Sequence, residues 1–410
     1  MKRVLVLGAG PAGLTVAETL RAHGCGCDIT LLSSEPHPPY APPAMADHFL
    51  TGREETLFWK GRDVCERLGL HYRPGVEVTA VDPRRHEVRI EGGGAFVYDR
   101  LVIATGARLF APLEGADRSR VANFKSLDAA MRLIDGVRKG LVDSAVVVGA
   151  GFIGIEVALL LRELDVPVVL TEMQDQVMPR TLDGETATVV LDALRERGVH
   201  VRLGTEVQAF VGDGPVRAAR LASGETIMAD AFVAATGVKP NVDFLRGSGI
   251  DVGWGVRVDR RLRTNVADVW AAGDVAETHD RLTGERYVHA IFPNAVEQGR
   301  VVAEDILGHD VEYPGAESMN SLEHLGIPVV AVGAASGEEE LRRSENGSLR
   351  KIFLTDDRIV GFRLAGDLRG AGVYRSLLLR GEPVTKHKLR LIDPDFGVAD
   401  LAFATPWAAD

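Results

Sequence analysis

Cysteine is scarce in this sequence. The 410 residues contain three cysteines, Cys25, Cys27 and Cys65. An odd and sparse set does not make a disulfide framework, and the pair Cys25 and Cys27 lacks the second ligand pair that a zinc site needs. We therefore expect three buried or incidental thiols in a reducing compartment.

Long hydrophobic runs and an excess of positive charge are also missing. No stretch approaches the ~18 apolar residues of a membrane helix, and the apolar start is too short for a signal-peptide core. The formal net charge of −11 argues against a nucleic-acid binder, which needs clustered positive charge. We therefore expect a cytoplasmic protein that binds neither membranes nor nucleic acids.

Aromatic residues make up only 6% of the chain, whereas glycine occurs 45 times. This balance favours an α/β fold, in which many tight turns join strands to helices. The length and the 46% hydrophobic content are sufficient for two or three domains, each with its own core.

A glycine-rich motif follows the first predicted strand. The apolar run 4–7 ends at GAGPAG, residues 8–13, and apolar residues at helical spacing follow it. A second predicted strand, residues 29–32, leads to Glu35, which lies 22 residues after the last glycine of the motif. Such glycines let the backbone approach a pyrophosphate, the helix N-terminus supplies N–H groups, and the carboxylate binds ribose hydroxyls. The segment therefore predicts a dinucleotide site.

The same pattern recurs 141 positions further on. An apolar strand at 145–148 precedes GAGFIG, residues 149–154, and a helical segment over 155–164 follows. The next strand, 168–170, leads to Glu172. One such glycine motif is a weak signal, but two copies with flanking strand, helix and terminal acid are specific.

Two dinucleotide sites in one chain imply two dinucleotides, and the useful pair is a flavin with a nicotinamide, between which hydride can pass. Two further repeats agree, because LVIATGA at 101–107 is echoed by FVAATGVKPN at 232–241. The segment 264–277 then places Gly273 and Asp274 after a buried strand. Taken alone, Asp274 would be interpreted as a helix N-cap.

These elements, in this order, resemble the flavoprotein family with two dinucleotide-binding domains. That family includes ferredoxin and rubredoxin reductases, NADH oxidases and the flavin part of nitrite reductase. The likeness covers nearly the whole chain. It implies an α/β fold in which a Rossmann-like NAD domain, 109–238, is inserted into a Rossmann-like FAD domain, 1–108 and 239–314. A small α+β interface domain, 315–410, would follow.

The resemblance also assigns the FAD site. The first glycine turn and Glu35 would hold the ADP half of FAD, and Asp274 would bind the ribityl or pyrophosphate region. The segment 289–308 matches the helix that reaches the isoalloxazine ring, with Phe292 where the family often has tryptophan. The expected FAD-binding residues are Gly8, Gly10, Pro11, Ala12, Gly13, Glu35, Pro43, Ala104, Thr105, Gly106, Gly273, Asp274 and Phe292.

In the NAD site, Glu172 would face the 2′ position of the adenosine ribose. Its carboxylate would accept a hydrogen bond from a hydroxyl and repel a phosphate, which predicts NADH over NADPH; Arg180 is the residue that would weaken the preference. Glu156 resembles the family acid near the nicotinamide amide, although an acid stabilised by the helix dipole explains it equally well. The expected NAD-binding residues are Gly149, Gly151, Phe152, Ile153, Gly154, Glu156, Glu172 and Gly237, and the expected catalytic residues are Glu156 and Tyr40.

The segment 35–52, EPHPPYAPPAMADHFLTG, contains no cysteine. Disulfide reductases of the superfamily carry two cysteines in this region and the NADH oxidase branch carries one, so cysteine-dependent mechanisms are disfavoured. Ala46 also stands where oxygenase-coupled ferredoxin reductases have a lysine. The alignment leaves a largely apolar flavin pocket, which would exclude water, formed by Tyr40, Pro42, Pro43 and Met45.

The C-terminal part predicts a hairpin at Asp356 and Asp357 and a helix over 368–379. Its basic cluster, 386–390, would either dock an acidic electron carrier or be a solvated loop, and the loop is the commoner meaning of such a cluster. No cysteine set for an iron–sulfur or rubredoxin centre is present, so a one-electron carrier must be a separate protein.

The sequence therefore predicts an FAD-dependent NADH oxidoreductase that passes electrons to a separate carrier such as ferredoxin or rubredoxin. Two alternatives remain at this point. One is a cysteine-independent NADH oxidase that produces hydrogen peroxide from oxygen. The other is a flavoprotein that acts as a binding or signalling module with slow turnover. The interface domain makes a homodimer possible.

Overall fold

The computed structural model of the protein describes residues 2–322 and 324–402. In chain order, its strands are β1 (Arg3–Leu7), β2 (Asp28–Leu32), β3 (His71–Arg73), β4 (Val78–Asp82), β5 (Glu87–Ile90), β6 (Ala95–Val97), β7 (Arg100–Ile103), β8 (Ala107–Leu109), β9 (Val121–Ala122), β10 (Ala145–Val148), β11 (Val168–Thr171), β12 (His200–Arg202), β13 (Val207–Val211), β14 (Ala218–Leu221), β15 (Thr226–Met228), β16 (Ala231–Ala234), β17 (Val238–Pro240), β18 (Val256–Arg257), β19 (Val269–Ala271), β20 (Ala276–His279), β21 (Arg286–Tyr287), β22 (Met319–Leu322), β23 (Val329–Gly333), β24 (Glu339–Glu345), β25 (Ser348–Thr355) and β26 (Arg358–Ala365).

The helices are α1 (Pro11–Ala22), α2 (Met45–Thr51), α3 (Glu54–Leu57), α4 (Val64–Arg67), α5 (Leu127–Arg138), α6 (Phe152–Glu163), α7 (Gly184–Glu196), α8 (Phe292–Leu307), α9 (Ala371–Arg380), α10 (Lys388–Leu391) and α11 (Val398–Ala402), with 3₁₀ turns at Pro42–Ala44 and Asp243–Leu245. Within the described ranges, none of these helices has the length and apolar character needed to cross a bilayer.

The chain divides into two compact units. The first contains residues 1–111, 123–135 and 237–317, and the second contains residues 112–122, 136–236 and 318–410.

The first unit is built on a parallel sheet with strand order β19-β7-β1-β2-β3. Strand β1 pairs with β2 on one side and with β7 on the other, and its apolar residues are buried. The order in which the strands are added to the sheet therefore reverses between β1 and β7, although the strands remain parallel. In an open parallel sheet this switch point, beyond the carboxyl ends of the strands, is where ligands bind.

The second unit contains a sheet of the same design, with strand order β12-β11-β10-β16-β9. Strand β10 is the counterpart of β1, because it pairs in parallel with β11 and with β16. Helix α6 joins β10 to β11, as α1 joins β1 to β2. The predicted repeat of strand, turn, helix and strand is thus confirmed in both copies, and the fold is α/β with two Rossmann-like sheets.

The second unit also contains an antiparallel sheet with strand order β22-β23-β26-β25-β24. The predicted hairpin is present between β25 and β26, and its turn residues Asp356 and Asp357 have φ values of 49° and 57°. Positive φ at both central residues is what a tight two-residue hairpin requires. Helix α9 begins later than predicted because Gly370, in the left-handed region at φ 85°, precedes it.

The unit boundaries differ from the predicted domains at two places. Residues 123–135 fall in the first unit, where the first turn of α5 binds Glu35 through the Leu127 N–H. Residues 318–410 fall in the second unit, where the Lys351 ammonium lies 2.7 Å from the Asp183 carboxylate. Neither contact has a sequence motif, because each joins residues that are far apart along the chain.

The cysteines correct one expectation. The structure joins Cys25 and Cys27 in a disulfide, with Cα atoms 5.4 Å apart, rather than leaving two thiols. Arg21 Nη1 fixes this segment by donating to the carbonyl oxygens of Cys25 and Cys27 at 2.8 and 2.9 Å. Cys65 is a buried free thiol, as predicted.

Candidate dinucleotide sites

The three glycines of the first motif lie in different surroundings. Gly8 ends β1 at φ +108°, and a Cβ there would lie 2.1 Å from the Ala104 carbonyl oxygen. A Cβ on Gly13 would lie 2.0 Å from the Gly8 carbonyl oxygen. Gly10 has an ordinary φ of −73°, and a Cβ there would meet no described atom within 4 Å. Packing therefore requires the outer glycines, whereas the middle glycine leaves room beside the start of α1 that a pyrophosphate would fit.

Helix α1 begins directly beyond this opening. Gly10 is its N-cap, Pro11 follows, and neither an acid in the first turn nor a side-chain cap occupies its end. The first N–H groups of a helix have no partner within the helix and carry partial positive charge. They are therefore available to a phosphate group, as the FAD prediction for Gly10 and Ala12 requires, whereas Pro11 has no N–H and could contribute only its ring and backbone shape.

The second motif repeats this geometry. A Cβ on Gly149 would lie 2.6 Å from the Ala235 carbonyl oxygen, and a Cβ on Gly154 would lie 1.9 Å from the Gly149 carbonyl oxygen. At Gly151, the N-cap of α6, a Cβ would again meet no described atom within 4 Å. The room for a pyrophosphate is thus the same in the two copies, and each lies in its own unit.

Glu35 lies just beyond β2 in a half-buried environment. The Tyr40 hydroxyl donates to its two carboxylate oxygens at 3.0 and 3.1 Å, and the Leu127 N–H donates to Oε2 at 3.3 Å. Burial raises the pKa of Glu35, while the hydrogen bonds from Tyr40 and Leu127 act in the opposite direction. Tyr40 and Leu127 therefore fix the Glu35 carboxylate as a hydrogen-bond acceptor just beyond the end of β2.

The Tyr40 hydroxyl has a structural task that the sequence did not reveal. Besides donating to Glu35, it accepts a hydrogen bond from the Leu127 N–H at 3.1 Å, and burial raises its pKa well above the usual range. A phenol held in this way stays protonated near neutral pH. The contact favours a positioning role toward Glu35, and the predicted catalytic role of Tyr40 stays a prediction.

Glu172 is the counterpart of Glu35 in the second unit. It is 8% exposed, and its carboxylate accepts hydrogen bonds from the Ala150 N–H at 2.9 Å and the Gln174 N–H at 3.0 Å. Ala150 stands between the first two glycines of the motif. The acid is therefore fixed directly against the glycine turn, where a Rossmann acid meets the adenosine ribose.

Asp274 lies between β19 and β20 and does not cap a helix, which removes the N-cap interpretation. Lys125 Nζ lies 2.7 Å from Asp274 Oδ2, and both side chains are about four-fifths buried. The neighbouring Gly273 N–H donates to Gln298 Oε1 at 2.7 Å. Lys125 is a cation that the sequence did not single out, because it follows no motif and lies 149 residues from its partner.

The remaining predicted FAD residues also lie in the first unit. Ala104 follows β7, and its N–H donates to the Leu7 carbonyl at 2.8 Å. Thr105 and Asn241 exchange two hydrogen bonds. Thr105 Oγ1 donates to the Asn241 carbonyl at 2.9 Å, and Asn241 Nδ2 donates to the Thr105 carbonyl at 2.8 Å. The other members of this set are Gly106 at φ +62°, Pro43 in the 3₁₀ turn, and Phe292, whose ring packs on Trp59 with centroids 5.5 Å apart.

In the second unit, Phe152, Ile153 and Glu156 lie half-buried in the first turns of α6. This position agrees with both explanations offered for Glu156, so its catalytic role stays a prediction. Gly237, predicted for the NAD site, lies at the start of the first unit's third segment, and its carbonyl accepts from the Phe110 N–H at 2.9 Å.

The Cys65 thiol and the basic cluster are both constrained by their surroundings. Burial raises the pKa of the Cys65 thiol to about 11, so little thiolate exists near neutral pH. In the basic cluster 386–390, Lys388 pairs with Glu339 at 2.6 Å and with Asp357. Arg390 pairs with Asp393 at 3.0 Å and with Asp400 at 3.1 Å. Residues 388–391 form helix α10 rather than a loop, and the intramolecular pairs reduce the positive charge that the cluster offers to an acidic carrier.

Two glycine turns with room for a pyrophosphate, each with an uncapped helix and a fixed acid, define an FAD- and NAD(P)H-dependent oxidoreductase of the class with two dinucleotide-binding sheets. The family model described as pyridine nucleotide-disulphide oxidoreductase matches residues 2–299, and the chain belongs to this family.

The relatives cover almost the whole chain. The chain is 31% identical to a p-cumate 2,3-dioxygenase system ferredoxin–NAD(+) reductase component of Pseudomonas putida, over 98% of this chain and 99% of the relative. It is 29% identical to the NADH-dependent phenylglyoxylate dehydrogenase subunit epsilon of Aromatoleum evansii, over 99% and 98%. The crystal structure of a ferredoxin reductase for the CYP199A2 system from Rhodopseudomonas palustris matches with a TM-score of 0.88 at 26% identity, over 98% and 100%.

Proposed function

We propose that this protein oxidises NADH and passes the electrons through FAD to a separate electron-carrier protein of the ferredoxin or rubredoxin kind. The observation that carries the proposal is the pair of open glycine turns at Gly10 and Gly151, one in each parallel sheet. FAD, when bound, accepts a hydride from the nicotinamide and releases electrons one at a time, which is the conversion that a one-electron carrier needs.

The residues of the first unit would hold FAD. The N–H groups at the start of α1 and the room above Gly10 would take the pyrophosphate, and Glu35 would accept hydrogen bonds from the ribose. Lys125 balances the charge of Asp274, so that a phosphate group beside this carboxylate meets a neutral pair. Phe292 and Trp59 would cover the apolar part of the site and exclude water.

The second unit would hold NADH. The open turn at Gly151 and the start of α6 would take the pyrophosphate, with Glu172 at the adenosine ribose. A 2′-phosphate beside Glu172 would be repelled by about 4 kcal/mol per charge pair at 4 Å and an effective dielectric of 20, before screening. Even a third of that energy is a tenfold preference, so we propose NADH as the physiological coenzyme.

The choice of acceptor rests on chemistry and on the relatives. The chain has no cysteine between residues 35 and 52, and Cys25 and Cys27 are held at the far end of α1 from the glycine turn. A helix of this length spans ~18 Å. Cys25 and Cys27 are therefore remote from the glycine turn, and burial raises the pKa of the Cys65 thiol to about 11, which disfavours it as a thiolate acceptor. The 31% identical relative is named a ferredoxin–NAD(+) reductase, which supports an iron–sulfur carrier. A homodimer and a cytoplasmic location stay part of the proposal.

Stopped-flow spectroscopy tests the proposal. The purified flavoprotein is reduced by NADH without oxygen and then mixed either with air-saturated buffer or with an oxidised ferredoxin or rubredoxin. We expect rapid reduction, slow reoxidation by oxygen, and reoxidation at least tenfold faster by a carrier. Rapid reoxidation by oxygen with release of hydrogen peroxide would instead establish an NADH oxidase. A reduced complex with NAD that persists for minutes with every acceptor would establish a binding or signalling module.

A second measurement tests the absence of a redox thiol beside the flavin. Anaerobic dithionite titration should consume two electrons per FAD, because the Cys25–Cys27 disulfide is remote from the glycine turn. An uptake of four electrons, coupled to bleaching of the flavin, would contradict the assignment.

A further inference from the structure

Helices α1 and α8 bring three metal-binding side chains together at their C-terminal ends. His23 is the C-cap of α1, Glu304 lies in the last turn of α8, and His309 follows two residues after that helix ends. His23 Nε2 lies 3.2 Å from Glu304 Oε1, and His309 Nδ1 lies 2.5 Å from Glu304 Oε2. All three residues belong to the first unit.

The three donor atoms are close enough to share one cation. They all lie within 4.8 Å of one another, and the two imidazole rings have centroids 5.4 Å apart at an angle of 63°. Zinc bonds to histidine nitrogen and to carboxylate oxygen are about 2.0–2.2 Å long, which places donors around a tetrahedral ion about 3.3 Å apart. The His23 and His309 side chains are 42% and 51% exposed, so small rotations of the rings can close the remaining gap.

The backbone fixes both histidines against the helix ends. The His23 N–H donates to the Thr19 carbonyl at 3.1 Å, which continues the hydrogen bonding of α1. Gly308, at φ +90°, reverses the chain after α8, so that the His309 N–H returns to the Glu304 carbonyl at 2.9 Å. The imidazole of His309 is thereby held over the carboxylate of the same turn.

The electrostatic environment of the cluster favours a cation. A carboxylate in the last turn of a helix lies at the negative end of the helix dipole, which disfavours it. The ends of two helices meet here, and both imidazoles lie against the two oxygens of the Glu304 carboxylate. A divalent cation would be stabilised by the carboxylate and by both helix ends.

The other group of possible metal ligands among the described residues is less suitable. Glu35, His37 and Asp128 also lie within bonding reach of one cation, but they include only one histidine. Glu35 is moreover held by Tyr40 and by the Leu127 N–H. Two imidazoles with one carboxylate are the ligand set that borderline cations prefer.

We propose that His23, Glu304 and His309 form a binding site for a borderline divalent cation such as Zn²⁺, with water completing the coordination. The site is independent of the proposed reaction. The ion would clamp α1, which carries the first glycine turn, to α8, so it would stabilise the first unit.

Zinc titration of the FAD-loaded full chain, with any affinity tag removed, tests the site. The protein is stripped with a chelator, dialysed, and titrated with Zn²⁺ in competition with a chromophoric indicator that absorbs away from the flavin. We expect one tightly bound Zn²⁺ per chain. Each of His23→Ala, His309→Ala and Glu304→Gln should weaken the binding at least tenfold, because each removes a ligand or its charge.

His71→Ala is the matched control. His71 is an exposed histidine 3.1 Å from the Asp28 carboxylate in the same unit, but it belongs to no three-ligand group among the described residues. This variant should bind Zn²⁺ as the wild type does. Equal zinc binding by the wild type and by a His23→Ala/His309→Ala double variant would overturn the proposal, as would failure of the wild type to retain Zn²⁺ at micromolar concentration.

Thermal unfolding separates metal binding from loss of fold. Without zinc, the His23→Ala variant should unfold at the wild-type temperature and keep its FAD spectrum, because the His23 side chain is on the surface. Added Zn²⁺ should raise the midpoint of the wild type and of His71→Ala by a few degrees, and leave that of His23→Ala unchanged. A zinc-dependent rise that is the same in His23→Ala as in the wild type would place the ion elsewhere and contradict the site.

Discussion

At the scale of single residues, we propose Glu172 as the determinant of coenzyme choice. The Glu172→Gln substitution keeps the shape of the side chain and an acceptor for the Ala150 N–H, but it removes the charge that would repel a 2′-phosphate. We expect the ratio of kcat/KM for NADH to that for NADPH to fall ~10-fold. Steady-state kinetics with both coenzymes measure the ratio.

Glu163→Gln is the control for this change, because Glu163 ends α6 in an exposed pair with Arg197 at 2.8 Å. It should leave the ratio as it is. An unchanged ratio in Glu172→Gln would remove this residue from coenzyme selection.

Lys125 is a residue-scale prediction that only the structure makes. The Lys125→Met substitution would leave the largely buried Asp274 carboxylate unpaired in a site that must accept phosphate groups. We expect the dissociation constant of FAD to rise ~10-fold, because a buried carboxylate without its partner repels the pyrophosphate. The fluorescence of FAD released on dilution reports the affinity.

Lys60→Met is the matched control, since Lys60 pairs with Glu18 at 3.2 Å in the same unit and is more exposed. It should retain FAD normally. Retention of FAD by Lys125→Met at wild-type strength would mean that Asp274 does not face the cofactor.

At the scale of elements, two glycines of the first turn are predicted to serve different purposes. Gly13 is needed for packing, whereas Gly10 leaves room for the ligand. In Gly10→Ala, the new methyl group enters open room at a permissive φ, so the apoprotein should keep its stability but lose FAD. In Gly13→Ala, the methyl group meets the Gly8 carbonyl, so the apoprotein should lose about 1–3 kcal/mol or more of unfolding free energy. Urea unfolding of the apoproteins and FAD titration measure the two effects.

The second turn gives the corresponding test for the coenzyme. Gly151→Ala should raise the KM for NADH while leaving FAD bound, because its open room lies in the other unit. Loss of stability in Gly10→Ala or Gly151→Ala, with the ligand still bound, would show that the open room serves packing instead.

At the scale of the whole molecule, a buried ion network ties the C-terminal sheet to α7 within the second unit. The Lys351 side chain is 6% exposed, and its Nζ lies 2.7 Å from Asp183, 3.0 Å from Glu340 and 3.3 Å from Glu185. Asp183 is also the N-cap of α7, where it accepts hydrogen bonds from the Glu185 and Thr186 N–H groups. The network thus connects the C-terminal sheet to α7 inside the second unit.

Removing the cation from this network should loosen the whole second unit. Lys351→Met would leave three carboxylates around an apolar side chain, which we expect to lower the unfolding free energy of the unit by about 3 kcal/mol. Hydrogen exchange should accelerate in α7, β25 and β26 together. Lys388→Met, which removes a surface cation of the same unit, should leave exchange in α7 unchanged. Acceleration confined to β25 would argue against one cooperative unit.

The same network predicts an acid response. Burial alone would raise the pKa of Asp183, but hydrogen bonds from Lys351 and Thr186 hold it below its usual value. A carboxyl with a lowered pKa stabilises the fold above its unfolded-state pKa of about 3.9, and this stabilisation is lost as the pH falls through the lower folded pKa. Stability of the second unit should therefore fall below about pH 4, and Lys351→Met should reduce this dependence. A pH profile identical in the two proteins would contradict the prediction.

Much of the fold could be predicted from the sequence, because its signals are local. Strand β10 has the predicted bounds, and β1, β2, α1 and α8 differ from their predictions by a few residues at most. In most of them, an apolar run or a helical period ends next to a glycine, as β1 does at Gly8, β10 at Gly149 and α8 at Gly308. The same locality explains why the turn at Asp356 and Asp357 was predictable. The start of α9 was missed because the left-handed Gly370 precedes it.

The sequence by itself determined the two dinucleotide motifs, the strands and helices that carry them, and the acids Glu35 and Glu172. Only the tertiary structure decided which charges meet: Lys125 with Asp274, Lys351 with Asp183, and His23 with Glu304. It also decided the task of Tyr40 and the pairing of Cys25 with Cys27. The physical reason is that a turn is specified by the torsion angles of adjacent residues, whereas an ion pair depends on how separate elements pack. A pair such as Lys125 with Asp274 therefore leaves no periodicity in the sequence.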